Sequence, residues 1–160
     1  MIFGFLKSQK LSPRQRKLQN TSLFRSLKPL EVKFVDGLMH ERRYQPEEIV
    51  FDENEEGQAL YLVMAGRVEI TRIHEGRRQL VSELGPGSFF GDLALLDNSP
   101  RSARARAAGH CELAVFFRDD FVALMDTDAV IGYKISLALA RHLGQRLRER
   151  LDGRPQLEAL

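Results

Sequence analysis

The sequence predicts an α+β fold: an antiparallel β-roll, jelly-roll-like, with helices before and after it in the chain. Apolar residues recur at helical spacing before residue 40 and again after Phe117. Between Tyr44 and Phe117, short β-branched and aromatic runs are separated by glycines about every ten residues, the turn spacing of an all-β roll or sandwich. His74-Glu75-Gly76-Arg77 is one expected hairpin tip, and a single short helix is expected to interrupt the strands.

The helical region before the roll covers residues 12–39. Ser12 is suited to cap it, with Pro13 at the first helical position. Its apolar face is expected to break near Pro29 and consists, on the two sides of that break, of Leu18, Leu23, Phe24, Leu27 and Leu30, then Val32, Phe34, Val35, Leu38 and Met39.

Two helices are expected after the roll. A short one covers residues 119–125, and Asp128 can cap a longer one that runs through Leu151. The longer helix carries an apolar residue at every fourth position: Ile135, Leu139, Leu143, Leu147 and Leu151. The roll can cover the start of this stripe, but the rest requires a partner helix. We therefore expect a homodimer through the C-terminal helix.

A chain of 160 residues is long enough for one domain with its own core. That domain is expected over residues 23–151, after a basic N-terminal arm and helix (1–22) and before a tail (152–160). The single cysteine, Cys111, cannot form an internal disulfide and lies in an apolar run, so we expect a buried inert thiol and a cytoplasmic protein. No apolar run approaches the ~20 residues that span a membrane, so no membrane span is expected.

The net charge of +2 is unevenly distributed. Residues 1–33 contain eight Lys or Arg against one acid, residues 34–140 contain eleven against eighteen, and residues 141–160 have a net charge of +2. A basic arm on an acidic body can contact nucleic acid, anionic lipid or an acidic partner, or it can be a solvated helix. The segment after the last helix is too short for a helix-turn-helix reader, so no sequence-specific nucleic-acid binding is expected.

The most informative segment reads FFGDLALLDNSPRSARARA and covers residues 89–107. It predicts a short helix whose free N-terminal amides face the same space as Arg101. Such amides attract an anion, and an arginine fork grips two phosphate oxygens. The small residues Ser102 and Ala103 allow the backbone to approach a ligand closely. The expected ligand is therefore a phosphate, while Arg104 and Arg106 alternate with alanines as on a half-exposed strand and are expected to be solvated.

These residues resemble the phosphate-binding cassette of the cyclic nucleotide-binding domain family. The family pattern runs F-G-E-x-A-L, then a short turn, then R-[STA]-A. Here it reads Phe90-Gly91-Asp92-Leu93-Ala94-Leu95 and, after residues 96–100, Arg101-Ser102-Ala103. The resemblance includes residues 44–51, 59–68 and 84–90, and it covers roughly residues 23–151.

The resemblance implies a stand-alone regulatory sensor, without a DNA-binding domain, whose ligand is cAMP or cGMP and which needs no cofactor. Arg101 would hold the cyclic phosphate, Asp92 and Gly91 the ribose, and the amides of the short helix at Leu93 and Ala94 would complete the cage. Ser102 would contact the phosphate or a base edge and leave cAMP slightly favoured. Arg146 lies near where the last helix of such domains folds over the purine, although a solvated position is equally expected. Binding would swing the last helix, about a hinge at residues 119–128, toward the ligand, and a separate, unidentified protein partner would detect that movement.

Asp92 stands where the family pattern has Glu, one methylene longer. The ribose contact is then longer and weaker, or the site has changed toward another ligand such as c-di-GMP, or the chain is a ligand-free interaction module that kept the fold. Asp92 can also cap the short helix, or form an ion pair with Arg101 in an empty site.

The sequence contains no motif that indicates an enzyme. The four histidines, His40, His74, His110 and His142, do not show the His-x-His spacing of a cupin metal site, so no metal is expected. No nucleophile motif and no Walker-type lysine loop appears, so no catalytic residue is expected.

Overall fold

The computed structural model describes residues 10–153, so the first part of the basic arm and most of the tail lie outside the described residues. The helices are α1 (Pro13–Asn20), α2 (Pro29–Leu38), α3 (Arg118–Thr127) and α4 (Ala129–Leu151). The strands are β1 (His40–Tyr44), β2 (Ile49–Phe51), β3 (Ala59–Ala65), β4 (Val68–His74), β5 (Arg77–Leu84), β6 (Phe89–Phe90), β7 (Arg104–Ala107) and β8 (Cys111–Phe117). A 3₁₀-helix, Asp92–Leu95, lies between β6 and β7.

The strands form two four-stranded antiparallel sheets, ordered β1-β8-β3-β6 and β2-β7-β4-β5. Inward-facing residues of both sheets meet in one core cluster, which includes Phe51, Val63, Val68, Ile70, Phe90 and Leu113. The predicted α+β roll is therefore confirmed. Its first strand begins at His40, before the expected start, because the polar stretch at residues 40–43 pairs with β8 without an apolar alternation that would reveal it.

The helices cover the outer face of the sheet β1-β8-β3-β6. Leu18 of α1 is buried with Leu60 and Phe116 of the sheet, and Ile135 and Leu139 of α4 belong to the same cluster. The central strands β8 and β3 of this sheet are thus buried on both faces, which explains their nearly continuous apolar sequences. The sequence predicted a domain over residues 23–151. Helix α1 lies before that range, yet it packs in the same core.

Both helix caps that the sequence predicts are present. The Ser12 side chain accepts from the Gln15 amide at 3.1 Å while Gln15 accepts from the Ser12 amide at 3.0 Å. The Asp128 carboxylate accepts from the Ile131 amide at 3.1 Å and starts α4. The prediction was wrong for Leu30 and Phe34, which are 57% and 48% exposed. They lie on the outer side of α2, because its valines take the buried side.

The C-terminal stripe is buried only at its start. Ile135 and Leu139 are buried, Leu143 packs against the core from a half-buried position, and Leu147 and Leu151 are 58% and 78% exposed. The homodimer stays a prediction.

Cys111 is buried, and its Sγ donates to the Arg67 carbonyl at 2.8 Å. Among residues 10–153, no helix is both long enough and apolar enough to cross a membrane.

Two turn glycines adopt left-handed backbone for different reasons. Gly76 (φ +74°) closes the predicted hairpin tip together with Glu75 (φ +50°), and a Cβ there would meet nothing within 4 Å. Gly66 (φ +83°) joins β3 to β4, and a Cβ there would lie 2.2 Å from the His110 carbonyl oxygen. Of these two glycines, only Gly66 is also required because tertiary packing leaves no room for a side chain.

We predict that Gly66→Ala destabilises the domain by about 2–5 kcal/mol, since it adds a backbone clash to left-handed strain. Gly76→Ala is the matched control, because it carries the strain alone and should cost about 1–2 kcal/mol. Urea unfolding of the two variants measures the difference. Equal losses would contradict the packing constraint at Gly66.

Candidate functional site

The segment between β6 and the 3₁₀-helix turns at Gly91, whose φ is +70°. A Cβ on Gly91 would lie 2.6 Å from Arg101 Nη1, so both the backbone conformation and the close approach require glycine. The expected short helix is a 3₁₀-turn of only four residues, in which the Ala94 amide already donates to the Gly91 carbonyl at 3.2 Å. This turn therefore leaves fewer backbone amides free to bind an anion than an α-helix would.

Arg101 is 7% exposed and points into the roll. Its Nη1 donates to the Gly91 carbonyl at 3.2 Å and its Nη2 to the Ala59 carbonyl at 2.8 Å. The guanidinium carbon lies 4.1 Å from the centroid of the Phe51 ring, a cation–π contact. Burial lowers the pKa of Arg101. This side chain therefore fastens the cassette to β3 from within the roll.

Asp92 pairs with Arg146 and not with Arg101, the partner that one alternative gave it. Arg146 Nη1 lies 3.2 and 3.1 Å from the two Asp92 carboxylate oxygens. Asp92 is fully buried and Arg146 is 5% exposed. The alternative of an Asp92–Arg101 pair is not realised, because Arg101 is turned to the backbone carbonyls and α4 brings a second guanidinium to the carboxylate.

Three buried side-chain nitrogens lack a hydrogen-bond partner among the described residues: Arg101 Nε, Arg146 Nε and Arg146 Nη2. All three belong to the two guanidinium groups at the cassette. A buried donor without an acceptor costs about 1–3 kcal/mol, more for a charged group. Arg101, Arg146 and Asp92 form a trio of two guanidinium groups and one carboxylate, so its net charge is +1. The site is therefore short of acceptor atoms, while Glu55 also contributes negative charge near Arg101.

The remaining predicted site residues divide into core and surface positions. Phe90 is fully buried and its ring stacks on Tyr61 with centroids 5.3 Å apart. Ala94 and Ala103 are 3% and 1% exposed, whereas Leu93 and Ser102 are half-buried. Phe90 and the two alanines thus shape the cassette, and Leu93 and Ser102 are the ones that solvent reaches.

Arg118, the first residue of α3, was missed by sequence reasoning. Its Nη1 lies 2.9 Å from the Gly57 carbonyl oxygen, 3.1 Å from that of Ala94 and 2.6 Å from that of Asp97. It thereby fastens the cassette to the start of the predicted hinge. Nothing in the local sequence marks an arginine whose partners lie 21 to 61 residues away.

Arg104 and Arg106 project from β7 while the alanines between them are buried, as the alternation predicted. They are half-exposed but ion-paired. Arg104 Nε and Nη2 lie 2.8 and 2.7 Å from the Asp52 oxygens, and Arg106 pairs with two glutamates. The Arg104 side chain, then the Glu53 amide, lower the pKa of Asp52 to about 2. Within residues 10–153, no group of three His, Cys, Asp or Glu side chains is placed to hold a metal ion.

We predict that Arg104→Ala returns the Asp52 pKa from about 2 toward its ordinary value. A depressed folded-state pKa stabilises the fold at pH values above the unfolded pKa of about 3.9, and this stabilisation is lost as the pH falls through about 2. The stability advantage of the wild type over the variant should therefore be constant above about pH 5 and shrink below about pH 4. Carboxylate chemical shifts and urea unfolding across this range measure both quantities, and an unchanged Asp52 titration would contradict the assignment.

We predict that Arg146→Gln destabilises the domain by about 3–5 kcal/mol, because it leaves the Asp92 carboxylate buried without a counter-charge. Adding Asp92→Asn should recover part of this loss, with a coupling of about 1–3 kcal/mol in a double-mutant cycle. The surface pair Arg67–Glu83, whose side chains are 71% and 39% exposed, is the control and should couple by about 0.5 kcal/mol or less. Additive losses at the buried pair would show that the two side chains do not interact.

Comparison with known proteins agrees with this architecture. Residues 41–128 match the family model described as cyclic nucleotide-binding domain. The chain is 36% identical over 127 residues to the cyclic AMP receptor protein of Thermus thermophilus, a match that covers 79% of this chain but only 59% of that protein. The crystal structure of the Thermus thermophilus catabolite activator protein superposes with a TM-score of 0.72 at 36% identity, over 82% of this chain and 62% of that one.

A crystal structure of a cyclic nucleotide-binding domain from Methylobacillus flagellatus superposes with a TM-score of 0.77 at 25% identity, over 87% of this chain and 79% of that one. The described residues contain the sensor fold and no DNA-binding domain. The family match covers more than half of the chain, and it includes the cassette, residues 119–128 and all of the roll except His40. The chain belongs to the cyclic nucleotide-binding domain family, as a sensor domain of the type found in catabolite activator proteins.

Proposed function

We propose that this chain is a regulatory sensor that binds a cyclic mononucleotide at the cassette and passes the signal to a separate protein. The observation that carries the proposal is the set of three orphaned guanidinium nitrogens in a trio of net charge +1. A cyclic mononucleotide supplies several oxygen acceptors and one negative phosphodiester charge. Its oxygens therefore offer acceptors to the orphaned nitrogens and its single charge complements the trio, whereas c-di-GMP would bring two charges. Families of this kind are typically non-catalytic, which fits a binding role.

In this proposal the polar groups of the cassette bind different parts of the ligand. Arg101 binds the cyclic phosphate, since it offers a buried charged donor with Nε unused. Gly91 and Asp92 face the ribose, and the short helix at Leu93 and Ala94 lies beside the phosphate, where the Ala94 amide already donates to the Gly91 carbonyl. Ser102 leaves cAMP slightly favoured over cGMP, and the name of the Thermus relative, a cyclic AMP receptor protein, supports the same preference.

The signal leaves through α4. Arg118 connects the cassette to the hinge helix α3, and Arg146 connects it to α4 itself, so a ligand that displaces the cassette acts on both helices. The resulting shift can be no larger than the ligand's preference for one helix position over the other. The exposed Leu147 and Leu151 suit a homodimer seam, and a lone buried cysteine suits the cytoplasm.

A second candidate is a protein-interaction module that no longer binds a ligand. It is favoured by the contacts that the cassette side chains already make within the protein: Asp92 is paired with Arg146, and Arg101 donates to two backbone carbonyls. In such a module the buried arginines would be structural ties, and only the outer surfaces of the helices would act.

We predict that Arg101→Ala weakens binding of cAMP and cGMP by about 10- to 100-fold, the loss expected for a charge-assisted contact. Arg104→Ala is the matched control, because Arg104 lies three residues away and is paired with Asp52 on the outer surface. Calorimetry with cAMP, cGMP and c-di-GMP on the wild type and both variants tests this. Loss of less than about fivefold in Arg101→Ala would place the phosphate elsewhere, and no binding of any nucleotide by the wild type would favour the interaction module.

A further inference from the structure

We propose that the groove between α4 and the segment that joins α1 to α2 is a second binding site, for a small amphipathic carboxylate such as a medium-chain fatty acid. The groove has a volume of about 730 Å³, within the range of about 300–1,000 Å³ that is usual for small-molecule sites. Its described lining contains no residue of the segment 89–103. The inference therefore goes beyond the proposed function, since it concerns another site and another ligand.

The groove is apolar toward the start of α4 and basic toward its end. Ser22, Arg25 and Ser26 form one side, and two neighbouring rows of α4 form the other. The members of each row are four residues apart: Tyr133, Leu137, Arg141, Gln145 and Glu149 in one, and Lys134, Ala138, His142 and Arg146 in the other. Positions 137 and 146 lie about 13 Å apart along the helix axis. A ligand with a carboxylate at one end and an apolar chain matches this arrangement.

Arg146 offers that carboxylate one edge of its guanidinium. Its Nε and Nη2 are buried and have no hydrogen-bond partner among the described residues, while Nη1 contacts Asp92. Nε and Nη2 together form an edge with which an arginine binds a carboxylate through two parallel hydrogen bonds. This protein contains such a contact, because Arg104 Nε and Nη2 lie 2.8 and 2.7 Å from the Asp52 oxygens. A carboxylate in the groove can therefore bind Arg146 in the same way while Asp92 keeps Nη1.

The charges around the groove favour one anion. Two of the four cations in its lining, Lys134 and Arg146, are already paired with acids. The other two, Arg25 and Arg141, are exposed and form no ion pair with a described residue. Glu149 is the one acid in the described lining. The two unpaired cations thus exceed this acid by one charge, which a monocarboxylate neutralises.

The groove and the cassette both depend on Arg146. In the proposed function, a cyclic nucleotide offers acceptors to the same Nε and Nη2 that a carboxylate would bind from the groove. We therefore expect each ligand to weaken the binding of the other, by the same factor in both directions. The groove would then act as a second input to the sensor.

The test titrates octanoate, and 1-octanol as its uncharged counterpart, into the full chain and follows backbone amide chemical shifts. We expect octanoate to bind with a Kd of about 1 mM or below and to shift the amides of the groove, and octanol to bind about tenfold more weakly. Arg146→Lys keeps a positive charge beside Asp92 but removes the two-nitrogen edge, so it should weaken octanoate about tenfold and leave octanol unchanged. Arg150→Lys is the matched control, because Arg150 is exposed on α4 and does not line the groove.

A second variant keeps the test independent of the ion pair with Asp92. Leu137→Glu changes a half-buried residue in the apolar part of the groove, and it should weaken octanoate more than tenfold, because it removes apolar surface and adds a like charge. Unchanged octanoate binding by Leu137→Glu, or by folded Arg146→Lys, overturns the inference.

Two results on the wild type alone also overturn the inference: equal affinity for octanoate and octanol, or no octanoate binding up to about 10 mM. None of these measurements includes a nucleotide, so the proposed function stands in each case. Octanoate binding by a wild type that binds no cyclic nucleotide has the reverse meaning, since it supports the groove site and overturns the proposed function.

Discussion

The buried guanidinium of Arg101 is the contact on which the arrangement of the cassette depends. It donates to a carbonyl of β3 and to the carbonyl of Gly91, and it lies over the Phe51 ring. Its own main chain is fixed as well, since its amide donates to the Glu55 carbonyl and its carbonyl accepts from the Asn54 amide. Gly91 must be glycine because this side chain occupies the space beside it. One arginine therefore sets the shape of the turn that any ligand would meet.

Two further arginines connect this turn to the helices. Arg118 donates from the first residue of α3, and Arg146 donates from the C-terminal half of α4 to Asp92. Backbone carbonyls satisfy the first, whereas the second forms a buried ion pair. Such pairs cost much desolvation and are weak evidence for stability, so stability alone does not explain the Asp92–Arg146 contact. The cassette, α3 and α4 thus share a set of charged contacts.

Local sequence patterns predicted a large part of the fold. Ser12 and Asp128 begin helices because their side chains reach an amide only three residues ahead, and the tip at Glu75 and Gly76 follows from backbone preferences of two adjacent residues. The same reasoning failed where the apolar pattern was absent or ambiguous. β1 is polar along most of its length, and α2 has apolar residues on more than one side, so only packing decides that Leu30 and Phe34 face outward.

The sequence by itself determined the fold class, the family and the residues that make up the cassette, because these depend on spacing and residue type within short segments. The tertiary structure decided which charged groups meet. Asp92 and Arg146 are 54 residues apart, and Arg101 reaches a carbonyl 42 residues away. The sequence around Asp92 does not indicate whether its carboxylate will pair with Arg101 or with Arg146. That choice depends on where α4 crosses the roll, and the crossing is set by apolar burial along the whole helix rather than by the residues of the site.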